Sequence, residues 1–398
     1  MAASPELSQA VIAWLAGREG AMTDLLRDLV NTDSGTYDKA GVDAAGEVLQ
    51  AFWKANGLEV MVFPHDTFGD ALVADLPHAA STDQRPVLLM GHRDTVFPQG
   101  EPTRRPFKIE NGRAYGPGVA DMKSGLVIEA FVMAAFAACG APGAPLRMLT
   151  TSDEEIASPA CHEDITREAR RCRAVFNAEP SRRNANAPAG NQNTQVVTRG
   201  RKGGVFMRVE AIGKAAHSGA HYERGRSAIL DLAQKVAPLH ALTDLPAGIT
   251  VNVGLIGGGQ TVNTVAPGAW VEIDLRYIEP AQRDSLIGAI RKIVETPVVD
   301  GVSAALTIKG EFLPLTQTPG SIRLLEAYTR AAERFGITVT ADFTGGCADS
   351  GLTAAAGCPT LCSVGPIGGF GHTPDEFIEM ASLVPAAQTL ALAICNTV

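Results

Sequence analysis

Histidine and carboxylate side chains recur in this sequence at the ends of apolar runs, where they could bind a metal ion. The run Val87–Met90 leads into Gly91-His92-Arg93-Asp94. Alternate residues of a strand share a face, so His92 and Asp94 project to the same side. A carboxylate next to a histidine can fix the tautomer of a metal-binding imidazole. This motif alone is explained equally well by an idle histidine at a strand end.

A turn rich in glycine and proline presents Asp121. The segment YGPGVADMKSG is predicted to form a rigid turn that delivers Asp121 at the start of a helix. The carboxylate could bind a metal ion, but capping of that helix is a strong alternative.

Further carboxylates follow two apolar strands, and a histidine lies in a late glycine-rich loop. The run LRMLTTS ends in Asp153-Glu154-Glu155, where adjacent negative charges are costly unless a cation or solvent relieves their repulsion. A second apolar strand is followed by Glu179, and His372 lies within the loop GGFGHTPDE. Each of these residues could instead be a solvated loop residue.

Taken together, these positions indicate a site for two metal ions. Groups able to bind zinc lie at or just after predicted strand ends, where open α/β sheets build their sites. Histidine and carboxylate ligands without cysteine favour a catalytic zinc, manganese or cobalt site over a structural one. Five such ligands are too many for one catalytic ion that keeps a water molecule, but they suit two ions that share a carboxylate. The groups are His92, Asp121, the carboxylates at 153–155, Glu179 and His372.

Alternating apolar strands and helices predict an α/β fold for most of the chain. Apolar residues at helical spacing extend over Pro5–Leu29, and the polar stretch 181–195 is predicted to be irregular. Residues 204–308 then follow the order β-α-β-β-α-β, which is typical of a ferredoxin-like module.

The predicted organisation is an α/β catalytic domain with an inserted α+β domain. A chain of 398 residues is long enough for two domains. We expect residues 1–198 and 311–398 to form the catalytic domain, with a mixed central sheet flanked by helices. Residues 199–310 would be the insertion, since exposed loops of compact domains tolerate such interruptions.

Composition excludes several classes of partner. A phosphate-binding surface needs clustered lysine and arginine, so the net charge of -9 argues against a nucleic-acid partner. The cysteines form no C-x-x-C pair, so neither a zinc knuckle nor a redox motif is indicated. The N-terminal apolar stretch has no basic leader, and no apolar run approaches the roughly 20 residues needed to cross a bilayer. We therefore expect a cytoplasmic enzyme without a membrane partner.

The motifs resemble those of the dizinc exopeptidase family that includes carboxypeptidase G, aminoacylase, acetylornithine deacetylase and succinyl-diaminopimelate desuccinylase. The elements H-x-D, G-x-x-D-x-K, D-E-E, E-P and G-H-T-P-D-E occur in the family's order between Gly91 and Glu376. The segments GHRDTVFP and YGPGVADMK most resemble the carboxypeptidase G branch.

The resemblance implies a role for each candidate metal ligand. His92 and Glu179 would bind one zinc ion. His372 and Glu155 would bind the other, and Asp121 would bridge the two. Cobalt or manganese could substitute for zinc.

The resemblance also assigns roles to residues that do not bind the metals. Asp94 would orient His92, and the peptide bond after Asp121 would be cis. Glu154 would be the general base, taking a proton from the zinc-bridging water and passing it to the leaving amine.

The inserted segment resembles the family's lid or dimerisation domain, which implies a homodimer. His217, in GKAAHSG, would reach a neighbouring subunit's active site and stabilise the oxyanion. Asn263, in TVNTVAP, would bind substrate, and Arg276 would grip the substrate carboxylate through its bidentate guanidinium. Without the resemblance, an ordinary surface salt bridge would be the preferred explanation for Arg276.

Two segments depart from the family pattern near the expected substrate pocket. In TGGCADSG, Ala348 precedes Asp349, and Cys347 lies where small or hydroxyl residues are common. Phe370 replaces a residue that is more often small in the carboxypeptidase G branch. Gly346 is expected to contact substrate, so these departures bear on specificity.

We therefore expect a metal-dependent hydrolase of a peptide or N-acyl amide bond next to a free carboxylate on a small-molecule substrate. Glutamate carboxypeptidase and N-acyl-amino-acid amidohydrolase activities both stay open, since they differ in which side of the bond carries bulk. A non-catalytic binding homologue would be expected to lack Glu154 or a ligand, and none of these is lost. A dinucleotide-binding protein is disfavoured because Gly254–Gly259 lacks the G-x-G-x-x-G spacing and its strand–turn–helix context.

Overall fold

Helices and strands alternate along residues 4–77, 85–187 and 193–397, which the computed structural model describes. The helices are α1 (Pro5–Ala16), α2 (Glu19–Val30), α3 (Lys39–Ala55), α4 (Glu101–Arg104), α5 (Ser124–Cys139), α6 (His162–Arg171), α7 (Ala228–His240), α8 (Arg283–Glu295), α9 (Pro319–Glu333), α10 (Ser350–Ala355) and α11 (Leu383–Thr397). The strands are β1 (Glu59–Phe63), β2 (Ala71–Asp75), β3 (Val87–His92), β4 (Lys108–Glu110), β5 (Arg113–Tyr115), β6 (Leu146–Thr151), β7 (Ala174–Asn177), β8 (Thr194–Arg201), β9 (Gly203–Ile212), β10 (Thr250–Gly258), β11 (Gly268–Tyr277), β12 (Ser303–Phe312), β13 (Thr338–Thr344), β14 (Thr360–Cys362), β15 (Gly368–Gly369) and β16 (Phe377–Glu379).

The chain divides into two units. The first contains the described residues of Met1–Gly200, Leu315–Thr344 and Ala348–Val398. The second contains Arg201–Pro314 and the short segment Gly345–Cys347.

A mixed sheet forms the centre of the first unit, with the strand order β1-β2-β6-β3-β7-β14-β8-β13. Strand β3 pairs in parallel with β6 and β7, whereas β2 pairs antiparallel with β1 and β6. Every residue of β3 is buried, as expected for a central parallel strand that is covered on both faces. The carboxyl ends of β3, β6 and β7 therefore open at one edge of the sheet.

A smaller sheet of the first unit has the order β15-β16-β5-β4. The sequence did not predict it, because strands of two or three residues are too short to show a periodic pattern. Strand β16 pairs antiparallel with β5. This pairing places the loop that follows β5 beside the loop that precedes β16.

The second unit is a four-stranded antiparallel sheet with the order β10-β11-β9-β12. Buried and half-buried residues alternate along β11, since successive side chains of a strand point to opposite faces. Apolar side chains of α7 and α8 pack with the buried face in one core. The β-α-β-β-α-β order and this topology confirm the predicted fold class, an α/β unit with a mixed sheet and a ferredoxin-like α+β module.

Two local predictions are corrected by the structure. The stretch 181–195 was expected to be irregular, but strand β8 begins at Thr194 and belongs to the large sheet. The helical pattern over Pro5–Leu29 is two helices, because Gly17, a weak helix former, follows the end of α1.

Two helical segments, Val119–Cys139 and Met380–Thr397, are long and apolar enough to cross a membrane by length and composition. Neither is an uninterrupted apolar run, since the first contains Asp121, Lys123 and Glu129 and the second contains Gln388 and Asn396. Burial within the fold covers 83% and 67% of their apolar windows, which is also the property of core helices.

Candidate metal centre

His92 ends β3 and is almost completely buried. Its Nε2 atom lies 3.1 Å from Asp121 Oδ1 and 3.8 Å from Glu179 Oε1. Its other ring nitrogen, Nδ1, lies 3.3 Å from Asp94 Oδ1 and 3.1 Å from the Asp94 carbonyl oxygen. Asp94 therefore holds the imidazole so that Nε2 faces the other two carboxylates.

Asp94 also fixes the turn that follows β6. Its side chain is fully buried, and its two oxygens accept hydrogen bonds from the backbone N–H groups of Glu154 and Glu155, each at 3.2 Å. The hydroxyl of Thr36 donates to Asp94 Oδ2 at 2.7 Å. Burial alone would raise the pKa of Asp94, but hydrogen bonding to His92 lowers it below its ordinary value. The ionised carboxylate of Asp94 thus links the end of β3 to the turn that follows β6.

Asp121 lies between two histidines. Its Oδ1 atom is 3.1 Å from His92 Nε2, and its Oδ2 atom is 3.3 Å from His372 Nε2. His372 Nε2 is also 3.1 Å from Glu155 Oε2. Two groups of side chains that could hold a metal ion result, and they share Asp121. The first is His92, Asp121 and Glu179, and the second is Asp121, Glu155 and His372.

The spacing of the donor atoms fits shared cations. Ligands about 2.0–2.2 Å from a tetrahedral zinc ion are separated from one another by roughly 3.3 Å. The separations between histidine nitrogens and carboxylate oxygens within the two groups are 3.1 to 3.8 Å. The peptide bond between Asp121 and Met122 is cis. The separations of the donor atoms therefore fit a dinuclear centre bridged by Asp121.

The electrostatics of the cluster favour a cation as well. Burial raises the pKa of Glu154 well above its ordinary value and raises that of Glu155. Hydrogen bonds to Asp121 and Glu155 raise the pKa of His372 to about 10. Several acidic groups are thus concentrated where their mutual repulsion would be relieved by divalent ions.

Glu376 is a positioning residue that the sequence analysis quoted in a motif but did not single out. Its buried carboxylate accepts hydrogen bonds from the backbone N–H groups of Gly118, Ala120 and Asp121 at 3.0, 2.8 and 2.9 Å. It therefore ties the turn that carries Asp121 to the loop that carries His372. The signal in the sequence was a glutamate that closes GHTPDE and is followed by an apolar strand.

The backbone of the loop after β15 directs His372 toward Asp121. Phe370 and His372 adopt positive φ angles of 57° and 64°, which are uncommon for residues other than glycine. A Cβ atom on the intervening Gly371 would lie 3.4 Å from Asp121 Oδ2. Phe370 is 66% exposed, with its ring centroid 5.9 Å from that of Phe377. Positive φ angles such as those of Phe370 and His372 persist when surrounding contacts hold the backbone in place, and they are concentrated at functional sites.

His217 lies in an exposed loop of the second unit. Its Nδ1 atom accepts hydrogen bonds from the backbone N–H groups of Gly219 and Ala220, each at 3.1 Å. In the neutral ring the proton is then on Nε2, which is left as a hydrogen-bond donor. The carbonyl of Asn263 accepts a hydrogen bond from the N–H of Ser218 at 3.0 Å, so the structure brings these two loops together.

Arg276, on β11, is held on three sides. Its Nε atom donates to Asp274 Oδ1 at 2.7 Å, and its Nη1 atom donates to Cys347 Sγ at 2.6 Å. Its guanidinium carbon lies 5.2 Å from the centroid of the Phe206 ring. The Cys347 thiol donates in turn to the Lys202 carbonyl at 3.2 Å. The thiol that departs from the family pattern is thus a direct neighbour of the arginine.

Gly346 is exposed in the second unit, and its carbonyl accepts a hydrogen bond from Arg201 Nη1 at 3.3 Å. The candidate metal ligands, in contrast, all belong to the first unit. The candidate substrate-binding residues His217, Asn263, Arg276 and Gly346 all belong to the second.

The chain is similar in sequence to known proteins over most of its length. The chain is 26% identical over 369 residues to carboxypeptidase G2 from Pseudomonas sp. (strain RS-16), covering 91% of this chain and 86% of that protein. It is 26% identical over 399 residues to acetylornithine deacetylase from Proteus mirabilis (strain HI4320), covering 94% and 96% of the two chains.

A solved structure shares the fold. The M20 family metallo-carboxypeptidase Sso-CP2 from Sulfolobus solfataricus superimposes with a TM-score of 0.78 at 16% sequence identity, covering 94% of this chain and 99% of that chain. The sequence pattern described as Peptidase family M20/M25/M40 matches residues 88–396, which include every candidate metal ligand. The resemblance seen in the motifs is confirmed, and the chain belongs to peptidase family M20/M25/M40.

Proposed function

We propose that the protein is a dinuclear metal-dependent hydrolase that cleaves an amide bond adjacent to a free carboxylate. The observation that carries this proposal is Asp121, whose two oxygens face two different histidines at 3.1 and 3.3 Å. Membership of a peptidase and amidohydrolase family supports metal-dependent hydrolysis. The metals would be zinc, with cobalt or manganese able to substitute, because the ligands are imidazoles and carboxylates without thiolates.

Glu154 is the group proposed to move the proton. It is buried beside the metal ligands, with its Oε2 atom 3.8 Å from His92 Nε2, and burial raises its pKa. A carboxylate with a raised pKa can accept a proton from the attacking water and return it to the leaving amine. Bound metal ions would polarise the scissile carbonyl and make that water more acidic. Asp94 holds the backbone of Glu154 in place during the transfer.

The second unit supplies the groups proposed to recognise the substrate. Arg276 keeps its positive charge at all relevant pH values and can bind a carboxylate through paired N–H groups. His217 presents Nε2 as a donor suited to a developing oxyanion, and Asn263 is proposed to bind the substrate beside it. The names carboxypeptidase G2 and acetylornithine deacetylase both describe reactions on amides of amino acids, which supports this assignment.

We also propose a homodimer through the second unit. Strand β10 lies at an edge of its sheet, and Leu255 and Ile256 on it are 56% and 55% exposed. Ile229 and Leu230 on α7 are 41% and 42% exposed. An open strand edge with apolar side chains is a surface that pairs readily with a second copy. A single sedimenting species of monomer mass at micromolar concentration would contradict this proposal.

A cytoplasmic location is proposed from two features of the described residues. The seven cysteines, all of which are among the described residues, form no disulfide, which suits a reducing compartment. The two long apolar helical segments are mostly buried in the fold.

The test of the proposed reaction combines metal removal with matched substrates. Dialysis against a chelator should abolish hydrolysis of N-acyl-glutamates and C-terminal-glutamate dipeptides, and added zinc, cobalt or manganese should restore it. The same substrates with the free carboxylate converted to a carboxamide should be hydrolysed far more slowly. Arg276→Gln should raise KM for the carboxylates by about 10–100-fold, the value of a charged hydrogen-bonded pair.

Two outcomes would contradict the proposal separately. Full activity of metal-free protein would remove the metal from the reaction. Equal hydrolysis of the carboxylate and its carboxamide would remove the carboxylate requirement and the role of Arg276, while leaving the metal chemistry in place.

A further inference from the structure

We infer that Glu129, a buried glutamate of α5, is a positioning residue for the metal site that contains His92 and Glu179. This inference rests on the proposed function, because it concerns the affinity for one of the two metal ions of that reaction. Glu129 acts through the backbone of β3 and β7, the strands that lead to these two ligands.

Glu129 lies where the fold otherwise places apolar side chains. Every residue of α5 from Ser124 to Phe136 is buried, and Glu129 itself is 0% exposed. It is the one acidic or basic side chain in the sequence of that helix. Burial of an ionisable group costs free energy that an apolar side chain would avoid. The cost is offset only if the carboxyl group makes a specific interaction.

The carboxyl group of Glu129 binds the end of β3. Its Oε1 atom accepts a hydrogen bond from the backbone N–H of Met90 at 3.0 Å. The pairing of β3 with β7 ends at Met90 and Asn177, and the N–H of Ala178 donates to the Met90 carbonyl at 3.2 Å just beyond that pair. Glu129 therefore lies at the point where the two strands separate, two residues before the metal ligand that follows on each of them.

Glycine residues keep α5 close to these strand ends. Gly125 lies four positions before Glu129, so the two residues share one face of the helix. A Cβ atom on Gly125 would overlap the carbonyl oxygen of Ala178, and a Cβ atom on Gly91 of β3 would overlap Cε of Met122. The helix therefore has a fixed position against both strands, and the carboxyl group that it carries can hold their ends in register.

The carboxyl group of Glu129 is suited to act as a neutral acceptor. Burial raises its pKa well above the ordinary value, although the N–H groups of Met90 and Ala178 favour the ionised form. The nearby charge of Glu179 also raises the pKa. Its second oxygen, Oε2, has no hydrogen-bond partner among the described residues, and an unpaired buried carboxylate is unfavourable. An uncharged amide of the same shape can therefore replace it.

Loss of this acceptor should affect the two metal sites unequally. One site takes His92 and Glu179 from the strand ends that Glu129 holds. The other takes Glu155 and His372 from the turn after β6 and from the loop before β16. Removal of a residue that supports a metal ligand lowers metal affinity by about 10–100-fold. We expect a loss of that size for one ion only.

The experiment measures zinc binding by competition with a chromogenic chelator and by elemental analysis after gel filtration. Glu129→Met fills the same space without an acceptor, so one of the two ions should bind about tenfold or more weakly. Glu129→Asp withdraws the acceptor from Met90 and should lose a similar factor. Glu129→Gln keeps an acceptor oxygen and should bind both ions within about twofold of the wild type.

Variants that keep a single site identify which ion is affected. In His372→Ala protein the retained ion would lie at the site of His92 and Glu179, and adding Glu129→Met should lower its affinity about tenfold. In Glu179→Ala protein the retained ion would lie at the other site, and adding Glu129→Met should change its affinity by less than about twofold.

Met133→Ala is the matched control, since Met133 is a buried residue of α5 one turn after Glu129. It should lower thermal stability by leaving a cavity and should leave both zinc affinities unchanged. Wild-type affinities in Glu129→Met, equal losses at both sites, or equal losses in the Met and Gln variants would overturn the inference. If the variants behave as expected but no N-acyl amino acid or peptide is hydrolysed by the wild type, the proposed reaction fails and the role of Glu129 stands.

Discussion

The candidate metal ligands of the first unit and His217 of the second, which we propose binds substrate, are oriented by contacts of different range. Asp94 joins backbone N–H groups 60 and 61 positions away, and Glu376 binds the N–H of a residue 255 positions away. His217 is oriented by N–H groups two and three positions away. The metal geometry thus requires the whole first unit to fold, whereas the orientation of His217 is a property of its own loop.

This difference has a functional meaning. Buried, long-range hydrogen bonds hold His92, Asp121 and Glu155 at the separations that cations require, and small displacements there would lose the metals. Exposed loop residues such as His217 and Asn263 can change without disturbing the core. On the proposed function, the chemistry depends on the fold of the whole first unit, whereas the orientation of His217 depends on its own loop.

Replacing Glu154 gives the largest expected effect and tests the chemical half of this comparison. Glu154→Gln preserves size and the backbone hydrogen bond to Asp94 but removes the proton acceptor. We expect kcat to fall by roughly 10²–10⁴-fold, the usual contribution of a general base, with KM little changed. Elemental analysis should show unchanged metal content, because Glu154 is not a proposed ligand.

Two other results would change the role of Glu154. Ordinary turnover by the Gln variant would remove it from proton transfer. Loss of metal from that variant would make it a ligand. Glu163→Gln, at the start of α6 and outside the cluster, is the matched control and should behave as wild type.

Replacing Glu376 tests whether long-range contacts hold the metals. In Glu376→Gln one carboxylate oxygen becomes an NH₂ group, which cannot accept a hydrogen bond. Either the bond from the Gly118 N–H or the two bonds from the Ala120 and Asp121 N–H groups are then lost. The turn that carries Asp121 should loosen, and metal affinity should fall by roughly 10–100-fold, as for other residues that support a ligand. Competition with a chromogenic chelator measures the affinity, and saturating metal should restore most of kcat.

The control for Glu376 is its neighbour Asp375, which is exposed in the same loop. Asp375→Asn should retain wild-type affinity. Equal affinity of the Glu376→Gln protein and the wild type would show that the hydrogen bonds to the turn do not hold the metal ligands.

The same contrast explains how much the sequence could predict. His92, Glu155 and Glu179 follow apolar runs that are easily recognised as strands, so their position at one sheet edge could be expected before the structure. Glu376 could not be assigned, since its partners are backbone N–H groups of a distant turn and its own sheet has strands of two or three residues. The polar strand β8 was missed because its sequence shows no clear alternation.

The substrate half was less predictable for a further physical reason. The proposed role of Arg276 depends on the hydrogen bonds of its guanidinium, which donates to Asp274 and to Cys347. No spacing rule connects residues 276 and 347.

Replacing Cys347 gives the smallest expected effect and tests the second unit, in which Cys347 contacts Arg276 from 71 positions away. Its thiol accepts from Arg276 Nη1 and donates to the Lys202 carbonyl, so it restrains the guanidinium proposed to bind the carboxylate. A net hydrogen bond contributes about 0.5–1.5 kcal/mol, so Cys347→Ala should raise KM for a carboxylate substrate about 2–10-fold and leave kcat nearly unchanged. Cys347→Ser, which can both accept and donate, should recover part of the loss. Cys139→Ala, a change at the partly exposed end of α5, is the control. A fall in kcat at constant KM would show that the thiol does not position Arg276. Identical KM values for the Cys347→Ala and Cys347→Ser variants would show the same.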